Sequence, residues 1–449
     1  MKRAFVIFYF TQIFCAKCEA TNFYSEDSAD VADNANLNIN QLAGKYGYQC
    51  ESHWVTTEDG YVLVMHRIRN ASSINPYFDT EPKPAVLIMH GVTGSSMEWV
   101  NLGPGRGLGF DLVKAGYDVW LGNNRGNMFS RYHVRLNPDE DDDYWDFSFE
   151  DCGYYDLPAK IDYILNITGQ QKLFYVGLSQ GTTQFFAMAS LRPEYNDKIA
   201  LMSALGPVAF MNHTSSPLIR LAVKILEPLE KLMKRLDWHE VLGYNSLVSK
   251  ISQLVCSNNS ALIELCVLPR FILFGFDSQQ LDRSTLAVET SHSPAGTSVK
   301  SLIHYGQQVS SGYFRRYDYG TELNRKHYNT DTPPDYNLSV ISAPIVLYYG
   351  QNDLIASVQD VERLSDELPN AVKSPINYKR WNHIDFYSAK DVYKLLNVNI
   401  IKSQQEFIDN GTLITTTTTT SKPSNNGAYS VNKEIFLTLI TLLMWLINF

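Results

Sequence analysis

Leu173-Phe-Tyr-Val176 runs without a polar break into Gly177-Leu-Ser-Gln-Gly181, and Thr182–Leu191 continues as a helical run. An apolar strand that turns within five residues into a helix, with a serine at the turn, permits few architectures. G-x-S-x-G alone is a weak signal, and the strand before it and the helix after it make it specific. Glycine is required on both sides of so sharp a turn, because a Cβ there would collide with neighbouring backbone. The turn presents the hydroxyl at the positive end of the helix, where a developing oxyanion is favoured. Ser179 is therefore read as a nucleophile rather than as part of a glycine-rich structural turn.

Short apolar segments recur on both sides: Ala85–Met89, Asp118–Leu121, Ile199–Ala204 and Ile345–Tyr349. Between them lie helical candidates at Gly107–Lys114, Tyr154–Leu165 and Val358–Leu368. This alternation predicts an α/β fold, a mostly parallel sheet with helices on both faces. Two further strands, His53–Thr56 and Tyr61–Ile68, flank a Glu58-Asp59-Gly60 turn, and 21–45 reads as an irregular lead-in arm. From Phe210 to Asn337 the patterns are helical, notably Leu218–Leu236 and Ala261–Phe274, with no β-α unit. That stretch reads as a cap inserted over the carboxyl edge of the sheet, its apolar residues serving either as cap core or as acyl-chain wall. With 449 residues, 45% of them hydrophobic, the chain can bury one large core carrying such an insertion.

A serine hydroxyl needs a base. In nucleophile-elbow enzymes the partners follow in the order serine, acid, histidine. Of the ten histidines only His383 lies beyond Asp353, and Asp353 follows the end of the buried Ile345–Tyr349 run. These two are the predicted acid and base, with Asp360, Asp366 and Asp385 as competing acids read as helix-surface or supporting groups. The oxyanion hole needs two backbone N–H groups, assigned to Gln180 and to Val92 in His90-Gly-Val-Thr-Gly94. His90 is read as orienting that loop rather than as a second base. Asp139-Glu-Asp-Asp-Asp143 lacks the glycine-punctuated spacing of a calcium loop and reads as solvated, and no Cys/His cluster suggests zinc. The sequence implies neither metal nor cofactor.

The formal charge of −9, without a basic block, gives no electrostatic case for nucleic-acid binding. Residues 1–20 read as a signal peptide: Lys2 and Arg3, an apolar run from Ala4 to Cys15, then a small-x-small site at Cys18-Glu-Ala20. A membrane span would need about 20 apolar residues. Cleavage leaves Cys50, Cys152, Cys256 and Cys266, which in an oxidising compartment allow two bridges in three pairings. Sequons start at Asn70, Asn166, Asn212, Asn258, Asn337 and Asn410, in agreement with secretion. The chain ends with six threonines, Thr415–Thr420, a polar stretch, and fifteen mostly apolar residues, Ile435–Phe449. As a helix these fifteen would span about 22 Å, short of the roughly 30 Å hydrocarbon core. With small residues upstream, the layout predicts a glycosylphosphatidylinositol signal with attachment at Asn425 or Asn426, Ser424 being the alternative. The predicted order is a signal peptide (1–20), hydrolase core (21–209), cap (210–337), second core part (338–405), Thr-rich stalk (406–434) and tail (435–449).

Val55-Thr-Thr-Glu-Asp-Gly60, His90-Gly91, Ala115-Gly-Tyr-Asp-Val-Trp-Leu-Gly-Asn123 with Arg125-Gly-Asn127, and Tyr155-Asp-Leu-Pro-Ala159 resemble the acid lipase family of gastric, lingual and lysosomal lipases. So do Ser179-Gln-Gly-Thr-Thr183, Gly275-Phe-Asp277, Ser293-Pro-Ala-Gly-Thr-Ser298, Gln359-Asp-Val361 and Asn382-His383-x-Asp385-Phe386. The resemblance runs from about Tyr46 to Ile401. It implies an α/β-hydrolase with a helical cap that acts without cofactor on triacylglycerols or sterol esters at a lipid–water interface. It carries over Ser179, Asp353, His383, Val92 and Gln180 in the roles given above. It also implies a cap disulfide at Cys256–Cys266, which leaves Cys50 and Cys152, outside the family pattern, to pair with each other. Leu178 departs from the family elbow, which carries histidine there. Two rival readings on the same fold are a catalytically dead adhesion protein and an acyltransferase. A complete Ser/Asp/His order argues against the first, and comparing turnover in water with turnover on an added alcohol tests the second.

Overall fold

The computed structural model describes residues 31–71 and 83–410. The signal peptide, the threonine run, the attachment candidates Asn425 and Asn426, and the apolar tail lie outside the described residues. Along the chain the strands are β1 (Tyr48–Thr56), β2 (Tyr61–Asn70), β3 (Ala85–Met89), β4 (Asp118–Gly122), β5 (Tyr132–His133) and β6 (Leu173–Leu178). They continue as β7 (Ile199–Leu205), β8 (Glu240–Val241), β9 (Thr297–Ser298), β10 (Ile345–Tyr349) and β11 (Ala371–Pro375). One sheet orders them β1-β2-β4-β3-β6-β7-β10-β11, with β5 paired to β2. From β4 to β11 every pairing is parallel, and the β1–β2, β2–β4 and β2–β5 pairings are antiparallel.

The central strands are buried on both sides, and their side chains alternate between two apolar clusters. Leu87, Tyr175 and Leu347 face one cluster, with Phe185, Phe186 and Ile161 of the covering helices. Val86, Ile88, Phe174, Val176 and Tyr348 face the other, with Phe110, Val392 and Ile400. Each fully buried Leu, Val, Ile or Phe contributes about 1.5–3 kcal/mol. This explains why the period-two pattern is submerged in continuous apolar runs.

Several predicted elements need correction. Residues 31–45 are ordered, with a 3-10 turn at Val31–Asn36 and a helix, Ile39–Lys45, opened by an Asn38–Gln41 capping box. Two turns of helix are too few to show a period among asparagines, yet Ile39, Leu42 and Ala43 are buried. β11 has no fully buried residue, exposes Lys373 and ends in Pro375, which an edge strand tolerates, so it gave no apolar signal. The Leu218–Leu236 pattern breaks at Ile225 into helices Pro217–Lys224 and Leu226–Arg235. The final helix, Val398–Asn410, extends past the expected core boundary at 405.

Between β7 and β10 the insertion also holds helices Ser246–Val255, Glu264–Phe274, Leu286–His292, Val299–Ser311 and Thr321–Tyr328, with a two-stranded ribbon, β8–β9. The Cys256–Cys266 disulfide is formed inside it. The expected Cys50–Cys152 bridge is not: both are free thiols. Cys50, on β1, packs with the cluster on one face of the sheet. Cys152 is buried beside the helix Gln180–Leu191, which covers the opposite face, so the sheet stands between them. Asp139–Asp143 are exposed, Asp139 pairing with Arg131.

Candidate active site

β6 delivers Ser179 and the helix Gln180–Leu191 leaves from it. Ser179 adopts φ 51, a left-handed value costing about 1–3 kcal/mol for a non-glycine residue and held only where the surroundings impose it. The flanking glycines leave room for it. A Cβ on Gly177 would lie 2.6 Å from the Gly181 backbone, and one on Gly181 2.6 Å from the Met89 carbonyl. The Ser179 N–H is tied to the Leu205 carbonyl at the end of β7. Leu178, the departure from the family elbow, is buried in the apolar cluster with Val176 and Leu205, so the neighbouring side chains take no polar contact there.

Asp353 and His383 meet. His383 Nδ1 lies 2.7 Å from Asp353 Oδ2, while Asp353 Oδ1 accepts the Ile355 and Ala356 N–H groups at 2.8 and 2.9 Å. Three donors thus fix the carboxylate, and with both residues buried the pair is shielded from water. A Cβ on Gly206, the residue after Leu205, would lie 3.2 Å from the His383 ring, which places the imidazole beside the strand end that holds Ser179. His383 Nε2 is buried and has no hydrogen-bond partner among the described residues. The competing acids serve elsewhere. Asp360 accepts from His213 and Ser357, Asp366 is exposed, and Asp385 accepts the Asn382 N–H.

The loop after β3 is set by His90. Its Nε2 accepts the Asn124 N–H at 3.1 Å, so the ring proton sits on Nδ1 and is donated to the Gly91 carbonyl at 2.7 Å. Burial depresses this imidazole to about 4, keeping it neutral near pH 7. Because a trans peptide points its C=O and N–H in opposite directions, holding the Gly91 carbonyl on His90 turns the Val92 N–H away from it. Gly91 lies against Ser179, with its Cβ position 3.7 Å from Ser179 Cβ. The Gln180 N–H, the other donor expected from the sequence, opens a helix and has no intrahelical partner. Beneath the loop lies Glu98, which burial pushes up to about 8 against the opposing effect of the Gly91 backbone.

Sequence reasoning missed how the insertion docks on these loops. The Phe274 carbonyl, at the end of the helix Glu264–Phe274, accepts N–H groups from both Leu354 and His383, at 3.3 and 3.4 Å. Asn382 Nδ2 donates to Gly275 O at 2.8 Å and Asn352 Nδ2 to Phe276 O at 3.0 Å. The Phe274 ring is stacked on His383, with centroids 6.1 Å apart. Asn352 and Asn382 each precede a triad candidate by one residue, and Asn382 also stands in a motif that carries the family resemblance, but neither signal tells that the side chain reaches the insertion.

The profile of the family described as alpha/beta hydrolase fold matches residues 84–387, and that of the partial alpha/beta-hydrolase lipase region matches 39–103. Lipase 3 of Drosophila melanogaster is 40% identical over 362 residues, 80% of this chain and 91% of its own length. Human gastric triacylglycerol lipase is 39% identical, covering 79% of this chain and 87% of its own. The chain belongs to the acid lipase family of α/β-hydrolases. Human lipase member K, 37% identical over 86% of this chain and 95% of its own, is a further relative in this family of carboxylic ester hydrolases. A crystal structure from Sulfolobus solfataricus superposes with a TM-score of 0.52 at 12% identity, covering 80% of this chain and 95% of the other, and shares the fold alone.

Proposed function

We propose that this acid lipase family member is a secreted serine lipase that hydrolyses neutral lipids, triacylglycerols and also sterol esters, through an acyl-enzyme on Ser179. The observation carrying the reading is the fixed Asp353–His383 pair, with a buried, unpartnered Nε2 beside the Ser179 turn. His383 Nε2 takes the Ser179 proton as Oγ attacks the ester carbonyl, and the resulting oxyanion is held by the Val92 and Gln180 N–H groups. His383 returns the proton to the leaving alcohol. Water then repeats the sequence on the acyl-enzyme, with Asp353 stabilising the imidazolium in each half. No cofactor enters these steps.

The insertion 210–337 acts as the cap that recognises the acyl chain. Leu247, Ile251 and Leu254 share one face of the helix Ser246–Val255, and Leu262, Leu265 and Leu268 lie nearby in sequence, all exposed. Such a surface suits contact with a lipid phase. Each buried CH₂ of substrate adds about 0.8 kcal/mol, so long-chain emulsified esters are expected to exceed short soluble ones in turnover. A strong preference for acetyl esters would remove the lipid substrate while leaving the serine mechanism standing.

Secretion is supported by the disulfide and by exposure of all six sequon asparagines. Among the described residues no helix is long and apolar enough to cross a membrane. The reading extends to a glycosylphosphatidylinositol anchor at Asn425 or Asn426 that holds the enzyme at the outer cell surface. Phosphatidylinositol-specific phospholipase C is expected to release active enzyme from intact cells. Enzyme that stays bound and still carries Phe449 by mass spectrometry would defeat the anchor.

A further inference from the structure

Asp277 follows the Gly275–Phe276 segment that docks on the triad loops, and Asp385 lies two residues beyond His383. Both are buried, at 1% and 2% exposure, and their carboxyl groups face each other across the boundary between insertion and sheet, close enough to share a proton. Two facing carboxyl groups can join in a hydrogen bond only through a proton that one of them keeps. Asp277 Oδ1 accepts the Gln279 and Gln280 N–H groups and the Tyr378 hydroxyl, an arrangement suited to a carboxylate. Its Oδ2 is buried and has no hydrogen-bond partner among the described residues, which leaves it free to take that proton. Asp385 Oδ2 accepts the Asn382 N–H at 2.8 Å, leaving its other oxygen to carry the shared proton.

We infer that Asp385 and Asp277 are positioning residues: a proton shared between them latches the docked segment to the His383 loop and holds the imidazole in register with Ser179. The inference rests on the proposed serine mechanism for its effect on turnover. His383 sits between two prongs of the latch. Asn382 reaches Gly275, and Asp385 reaches Asp277. Asn382 Oδ1 also caps the Ile384 and Asp385 N–H groups, so the loop between the prongs is rigid.

The surrounding charges leave the proton in place. Arg270 is the cation that acts on Asp385, but it is engaged by Glu289 and by the Ser388 hydroxyl. Arg380 and Tyr378 lie on the Asp277 side, and Tyr387 faces Glu98, Glu289 and Arg270. Burial, and then the Asp277 charge, push Asp385 up to about 8. Since the unfolded carboxyl titrates near 4, the latch is intact at acid and neutral pH and is lost as pH rises through about 8.

Asp385→Ala is expected to lower ester turnover about tenfold or more by loosening His383. Asp385→Asn keeps a donor towards Asp277, so it should restore most of that loss and move the alkaline fall in turnover to higher pH. Amide exchange supplies a readout independent of substrate. Between about pH 6 and about pH 9, corrected for intrinsic rate, protection at 274–277 and 382–385 should collapse in the wild type and persist in Asp385→Asn. Asp277→Asn, which can donate to an ionised Asp385, should behave in the same way and covers a failure of the first variant to fold. The latch is overturned if the asparagine variants are as impaired as alanine, or if they keep the wild-type pH and exchange profiles. Wild-type protein that protects these amides but hydrolyses no ester would instead count against the serine-lipase reading.

Discussion

Folded Ser179→Ala protein is expected to lose ester hydrolysis by about 10⁴-fold or more, since nucleophile, base and acid act as one unit. A fluorophosphonate should label Ser179 in the wild type and nothing in the variant. The geometry makes an equally specific demand of Asp353→Asn. The amide oxygen can still take the Ile355 and Ala356 N–H groups, which leaves its NH₂ facing His383 Nδ1. A donor there forces the ring proton onto Nε2, the nitrogen that must accept from Ser179, so turnover should fall about 10⁴-fold with little change in stability. The double variant should be no worse than Ser179→Ala alone. Residual activity in Ser179→Ala close to that of the wild type would refute the nucleophile.

What the sequence made legible here is what local chemistry controls. The elbow could be read because steric crowding confines the Ser179 turn to glycines at 177 and 181, and those glycines stand beside an uninterrupted apolar strand. The pairing of Asp353 with His383 could be anticipated because β10 is buried on both faces and Asp353 is the first carboxylate beyond its end. Interactions between distant segments left no periodic trace. The Phe274 carbonyl is reached by Leu354 and His383 through backbone groups, which any residue would supply. β11 is an edge strand whose burial is too slight to select apolar residues, and although Asp277 and Asp385 stand in motifs of the family, no local pattern tells that the insertion brings them together. The expected Cys50–Cys152 bridge failed for the same reason: no local pattern told which face of the sheet each thiol would occupy.

Arg125 gives the second large effect, and it concerns stability. Its side chain is 1% exposed and holds two carboxylates: Asp156, fully buried, through Nε at 2.8 Å, and Asp59 through its terminal nitrogens at 2.6 and 3.0 Å. The guanidinium lies 3.9 Å from the centroid of the Tyr61 ring, so it is desolvated on its face as well as at its edges. Forming such a cluster costs much of what it returns, but removing one member leaves the others uncompensated. In Arg125→Ala, Asp156 would keep the N–H of residue 125 at 3.1 Å and, as a cation, Lys160 alone, whose Nζ is 3.9 Å away and which burial lowers to about 8. The expected loss is about 3–5 kcal/mol, read as a shift in denaturant midpoint and largely insensitive to salt. Arg125→Met with Asp156→Leu removes both charges and should be less destabilised than Arg125→Ala, which identifies the stranded charge as the cause. Activity should fall as well, because Asn124 and Asn127 flank Arg125 and contact His90 Nε2, the ring that orients the Gly91–Val92 peptide. An Arg125→Ala protein within about 0.5 kcal/mol of the wild type would show that the cluster contributes no more than an ordinary surface pair.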